Sequence, residues 1–133
     1  MVFLDANVPM YLVGADHPHK STAAALVQRL VIGRQRLVTD AEVFQEILHR
    51  YVSIRRLEAI QPAFDLLSSL VDEVYPIDLE VVSAAKSLVL SYQGLSARDG
   101  IHIAVMARHE VSRIVSFDDG FDRVPGIERL CTL

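Results

Sequence analysis

Apolar positions along the chain fall into short runs separated by longer stretches of helical period. The first run, Val2-Phe3-Leu4, stops at Asp5 and reads as a buried strand ending in an acid. Asn7 and Pro9 follow, one a good helix cap and the other suited to a first helical turn. They predict a short helix over Val8–Val13. A loop over Gly14–His19 leads into a helix over Ser21–Val31, which Gly33 ends. Arg36–Val38 reads as a second strand, and Thr39-Asp-Ala-Glu42 has the form of a capping box opening a helix through Tyr51. A longer helix is expected over Ile54–Leu70, a third strand over Val74–Pro76, and a helix from an Asp78 cap through Tyr92. After a break at Gln93–Leu95, Ser96-Ala-Arg-Asp99 opens a helix through His109. Arg113–Phe117 is a strand, Asp118-Asp119-Gly120 a turn, and Ile127–Leu130 a last strand. Strands alternating with helices of about 10–15 residues predict parallel βαβ units in an α/β domain.

The chain has 133 residues, enough for one domain over 1–133 and for a core that needs no disulfide. Its 51% hydrophobic content suggests that a partner covers some apolar surface. Cys131 is the only cysteine, so no internal disulfide forms, and no Cys/His spacing suits a zinc site. With no signal-peptide pattern at MVFLDANVP and no apolar run near ~18 residues, a cytoplasmic setting away from membranes is expected. The net charge of −4 argues against an extended nucleic-acid-coating surface. Acids gathered in one site would lower that sum without describing the rest of the surface.

The placing of the acids narrows the chemistry. Asp5 and Asp118 each follow an apolar strand, where ligands of open parallel sheets bind, although either one also suits an Asx-turn or a cap. Glu46 borders the apolar face formed by Val43, Phe44, Ile47, Leu48 and Tyr51, with Arg50 as an available partner at i+4. Glu42 is accounted for by the capping box. Asp99 shares a face with Ile103 and Met106, while Ile101 and Val105 make the opposite side apolar as well. A carboxylate on such a buried helix needs a partner or a metal, even though Ser96 and Asp99 also form a local cap. Asp119 and Asp122 share the acidic turn SFDDGFD and are candidates for water-mediated contacts. His17 and His19 fit a solvated loop, and His102 and His109 lack the spacing of a zinc pair. Arg34, Arg36, Arg50, Arg55 and Arg56 suit solvated faces and as a group could contact phosphates.

Four segments carry a resemblance in their order and spacing. They are Asp5-Ala-Asn7 after the first strand, Phe44-Gln-Glu46-Ile-Leu, Leu95-Ser-Ala-Arg-Asp99-Gly-Ile-His-Ile-Ala104, and Ile114-Val-Ser116-Phe-Asp118-Asp-Gly-Phe121. Together the chain resembles the PIN-domain ribonucleases, and within them the VapC-type toxins of toxin–antitoxin pairs. The resemblance implies a central parallel sheet of four or five short strands flanked by helices. It places the catalytic, metal-binding acids at Asp5, Glu46, Asp99 and Asp118, with Asn7 and Ser116 orienting substrate or water. Glu42 lies near enough to Glu46 to be the helical acid instead. It further implies an RNA substrate, a homodimer, and a cognate antitoxin that blocks the site.

Clustered carboxylates repel, and a hard dication resolves the conflict. Mg²⁺ and Mn²⁺ favour such oxygen ligands. The expected activity is therefore divalent-metal-dependent hydrolysis of RNA phosphodiester bonds, with a metal-bound water as nucleophile. No Ser/Cys–His pairing suggests a covalent route. The alternatives are a non-catalytic RNA- or protein-binding module of the same fold, a DNA nuclease, and a chain in which every acid is a cap or surface pair. An aspartyl-phosphate phosphatase is disfavoured, because Asn7 stands where it would need a second Asp.

Overall fold

A computed structural model describes all residues from Met1 to Leu133. Five strands form one all-parallel sheet: β1 (Val2–Leu4), β2 (Leu37–Asp40), β3 (Glu73–Tyr75), β4 (Arg113–Val115) and β5 (Glu128–Leu130). Six helices flank it: α1 (Asn7–Val13), α2 (Pro18–Ile32), α3 (Ala41–Ser53), α4 (Ile60–Leu70), α5 (Leu79–Ser91) and α6 (Ala97–Arg108). Short 3-10 segments lie at Leu57–Ala59 and Asp119–Arg123.

The strand order is β3-β2-β1-β4-β5. The chain builds outward from β1 through β2 and β3, then returns to the other side of β1 for β4 and β5. The order therefore reverses between β1 and β4, and the crevice beyond their carboxyl ends is where such sheets bind ligands. β1 is apolar throughout and β4 is apolar after Arg113, since each is covered on both faces. Val2, Phe3, Leu4, Ile114 and Val115 are fully buried. Helices α5 and α6 pack closely at Gly100, where an added Cβ would lie 3.1 Å from Val89 Cγ2.

Several boundaries differ from those expected, each for a physical reason. β2 extends to Asp40, so Thr39 is a strand residue and its hydroxyl donates to the Leu4 carbonyl at 2.8 Å. Asp40, not Thr39, caps α3 by accepting the Val43 N–H, which removes the capping-box account of Glu42. Asn7 is no cap either; it lies inside α1, and its amide reaches Ser116. α2 begins at Pro18, with His17 as the cap. The helix expected over 54–70 is interrupted, because Arg55 takes a φ of 57° and Pro62 cannot donate to the turn before it. Only α4 remains regular, with Pro62 in its first turn.

Candidate active site

β1 and β4 lie side by side, and the Asp5 N–H donates to the Val115 carbonyl. The residues that follow the two strands are thereby set next to each other. The Ser116 hydroxyl donates to Asp5 Oδ2 at 2.6 Å and accepts from the Asp118 N–H at 3.0 Å and from Asn7 Nδ2 at 3.3 Å. The other Asp5 oxygen accepts the Ala6 N–H at 2.8 Å. One serine thus ties β1, α1 and the turn after β4 together.

Asp99 enters from α6. Ser96 caps that helix by accepting the Asp99 N–H, so the local cap expected from the sequence is present. The Asp99 carboxylate meets Asp118 over Gly120. A Cβ added there would lie 2.6 Å from Asp99 Oδ2 and 3.2 Å from Asp118 Oδ1. Asp118 Oδ1 also accepts the Gly120 N–H in an Asx-turn. Glycine is required at this position by the two carboxylates, not by its backbone angles. Asp5 and Asp99 are buried at 5% and 8% exposure, Glu46 is half-buried, and Asp118 is exposed. The four acids therefore run from the floor of a cleft to its rim.

Glu46 descends from α3. It pairs with Arg98 at 3.4 Å, not with Arg50, and Arg98 reaches Glu42 at the same distance. The second Glu46 oxygen is buried without a hydrogen-bond partner. It lies 3.8 Å from His102 Nε2, which is also buried and unpartnered, and which stands 3.9 Å from Asp5 Oδ1. Asn7 Oδ1 is the remaining buried orphan. The other nitrogen of His102 bonds Asp40 Oδ2 at 2.8 Å.

Charge in this cluster is frustrated. Burial, then Asp118 and Asp5, push the Asp99 carboxyl up to about 6. Burial also raises Asp5 against the favourable pull of His102 and Ser116. For Glu46 burial works upward, but the nearby His102, with Arg98, holds the carboxyl below its usual value. Burial disfavours a charged His102, yet Asp40, Glu46 and Asp5 raise its pKa well above that of a free histidine.

The structure brings Asp5, Glu46, Asp99, Asp118, Asn7 and Ser116 together. Asp122 does not join them; it is committed to a bidentate pair with Arg129 at 2.9 and 3.0 Å. Asp119 is exposed. Arg98, His102 and Asp40 are the residues that sequence reasoning left without a site role. Arg98 and His102 stand within the quoted α6 segment, but their partners lie far away in sequence. The cleft is also lined by Tyr11, His49, Arg50 and Phe117.

A cation fits this donor set. Anionic oxygens predominate, and Glu46 and His102 aim orphaned buried atoms at the same space.

The PIN domain family matches residues 2–127. A VapC ribonuclease of Mycobacterium bovis and ribonuclease VapC13 of Mycobacterium tuberculosis are each 59% identical over 130 residues, covering 98% of this chain and 99% of the relative. Among solved structures, the sarcin–ricin loop cleaving toxin VapC20 of M. tuberculosis aligns with a TM-score of 0.76 at 21% identity, over 92% of this chain and 93% of its own. The VapBC2 structure from Rickettsia felis, bound to a promoter DNA fragment, aligns with a TM-score of 0.74 at 13% identity over 98% of both chains. At those identities the two structures speak to fold alone.

Proposed function

The chain belongs to the PIN-domain family and, within it, to the VapC ribonucleases, and from that premise we propose that it is a divalent-metal-dependent endoribonuclease acting as the toxin of a toxin–antitoxin pair. The observation that carries the reading is the meeting of Asp5, Glu46, Asp99 and Asp118 at the switch point between β1 and β4, with no lysine or arginine in a salt bridge to Asp5, Asp99 or Asp118.

Asp5, Asp99, Asp118 and Glu46 would hold Mg²⁺ or Mn²⁺. Such an ion supplies Lewis acidity to the attacked phosphate and a bound water of lowered pKa. The chain's own residues do the rest. Ser116 fixes the Asp5 carboxylate and, through the Asp118 N–H, the turn that presents the rim acid. Asn7 keeps a buried amide oxygen without a protein partner, which would accept a hydrogen bond from a water or substrate group. Arg98 restrains Glu46, while His49 and Arg50 line the cleft where a phosphate backbone would approach. RNA is the substrate class that the ribonuclease relatives support.

The antitoxin partner follows from the VapC membership; a solved structure of the same fold, at 12% identity, is a toxin–antitoxin complex from Klebsiella pneumoniae. Leu48, Val52, Ile54 and Leu57 are exposed on and after α3, the kind of apolar surface that an antitoxin or a second copy in a homodimer would cover.

Incubating purified protein with total RNA tests the activity. Cleavage is expected with Mg²⁺ or Mn²⁺ and none with EDTA, and cleavage that persists in EDTA overturns the mechanism. The helical acid is tested by comparing Glu46→Gln with Glu42→Gln. Loss of cleavage in the second alone would reassign it.

A further inference from the structure

His102 is the least expected residue in the cleft. It is fully buried, and the zinc-pair spacing that would have marked it in the sequence is absent. Its Nδ1 bonds Asp40 Oδ2 at 2.8 Å, and both side chains are wholly shielded from solvent. The other Asp40 oxygen caps α3 by accepting the Val43 N–H. Asp40 is therefore fixed by the end of β2 and the start of α3, and it fixes the ring in turn. Because a carboxylate only accepts, Nδ1 carries the proton of that bond. Nε2 is left facing Asp5 Oδ1 at 3.9 Å and Glu46 Oε2 at 3.8 Å, with no hydrogen bond from any protein group.

A buried polar nitrogen without a partner is rare and calls for an account. Ordinary hydrogen bonding does not supply one, since both neighbouring oxygens stand beyond hydrogen-bond reach, and a protonated ring gains only long charge contacts with them at 3.8 and 3.9 Å. Ligand atoms of Asp5, Glu46 and His102 all lie within 4.8 Å of one another, close enough for one cation to touch all three after small side-chain shifts. A buried carboxylate on the far nitrogen of the ring is the usual way in which a metal-ligating histidine is oriented.

We propose that His102 Nε2 is a nitrogen ligand to the divalent ion held by Asp5 and Glu46, with Asp40 as the positioning residue that orients the ring. The inference rests on the metal-dependent reading above and deepens it: the ion would take the place of the Nε2 proton, which leaves to solvent, while Nδ1 keeps its proton on Asp40. An imidazole ligand favours transition ions over Mg²⁺, which prefers an all-oxygen shell. The site is therefore a mixed oxygen–nitrogen site selective for Mn²⁺ and its borderline neighbours.

Pulsed electron paramagnetic resonance of the Mn²⁺-loaded, RNA-free protein tests this directly. A histidine nitrogen coupling to Mn²⁺ is expected. It should persist when the exposed or half-exposed rings nearest the cleft are removed together (His17→Gln, His19→Gln, His49→Gln), and vanish in His102→Gln. Titration calorimetry should show Mn²⁺ binding weakened roughly 10- to 100-fold in His102→Gln and in Asp40→Asn, with Mg²⁺ affected less. Should His102→Gln fail to fold, the triple variant still assigns the coupling, because His109 stacks on Tyr75 and is the only other histidine left. Mn²⁺ bound without nitrogen coupling, in a protein that cuts RNA, overturns the ligand and leaves the nuclease standing. No Mn²⁺ binding at all overturns both.

Discussion

Asp99 and Asp122 are the same side chain in similar local settings, each in the first turn of a helical segment. Asp122 lies at the surface, where two hydrogen bonds from the Arg129 guanidinium hold its carboxyl below the usual range. Asp99 is buried beside Asp118 and Asp5, and its carboxyl is pushed up to about 6. At the periphery the fold gives an acid its counter-charge. In the crevice it supplies only part of one, through His102 and Arg98 at Glu46 and Asp5. A carboxylate's task is set by whether the chain has already neutralised it. The crevice is left poised for a cation, at some expense in stability.

The sharpest way to break this contrast is to exchange the two acids' fates by mutation. Asp99→Asn should lower RNA cleavage by at least about 100-fold, more than the loss of an outer-shell partner would. Calorimetry should show Mn²⁺ binding weakened in parallel. Gly120→Ala comes next. Its methyl would sit against Asp99 and Asp118, so cleavage should fall about tenfold or more while the far-ultraviolet circular dichroism spectrum is retained.

The third prediction concerns stability and pH. Folded, metal-free Asp99 holds its proton more tightly than the unfolded chain does. Its contribution is therefore present below the ordinary value of 3.8 and is lost as pH rises through about 6. At pH 7 without metal, Asp99→Asn should be more stable than the parent by of the order of 1 kcal/mol, after allowance for solvent screening. Saturating Mn²⁺ should reverse that order, because the ion binds the folded parent more tightly. Thermal melts at pH 5 and pH 7, with and without Mn²⁺, check both signs. Asp122→Asn should do least: no change in cleavage or metal affinity, and a smaller shift in melting temperature than Asp99→Asn. Loss of cleavage there would erase the distinction between the two regions.

Much of the fold was legible because each strand is a short apolar run bounded by turn chemistry. Ser96 and Asp78 were read correctly as caps, since a cap bonds its own helix a few residues on. Thr39 and Asn7 were misread by the same logic. Both are capping residues by type, but their side chains are drawn to Leu4 and Ser116, which are distant in sequence. Pro62 and Arg55 together explain the lost first part of the helix expected over 54–70, although only Pro62 is a conventional signal. For Asp5 and Asp118 the local and functional readings hold together. One oxygen of each serves the local backbone, and the acids still meet in one cleft.

The sequence by itself determined an α/β chain with an acid after each of two apolar strands and another on a helix apolar nearly all round. Those features depend on period and on neighbouring residues, which a single chain displays openly. Only the tertiary structure decided that β1 and β4 are neighbours and that Gly120 leaves room for two carboxylates. It alone turned Glu46 from Arg50 to Arg98. It also buried His102 between Asp40, 62 residues away, and the acids of the cleft. Those outcomes depend on which surfaces exclude water together, and that pairing spans the whole length of the chain.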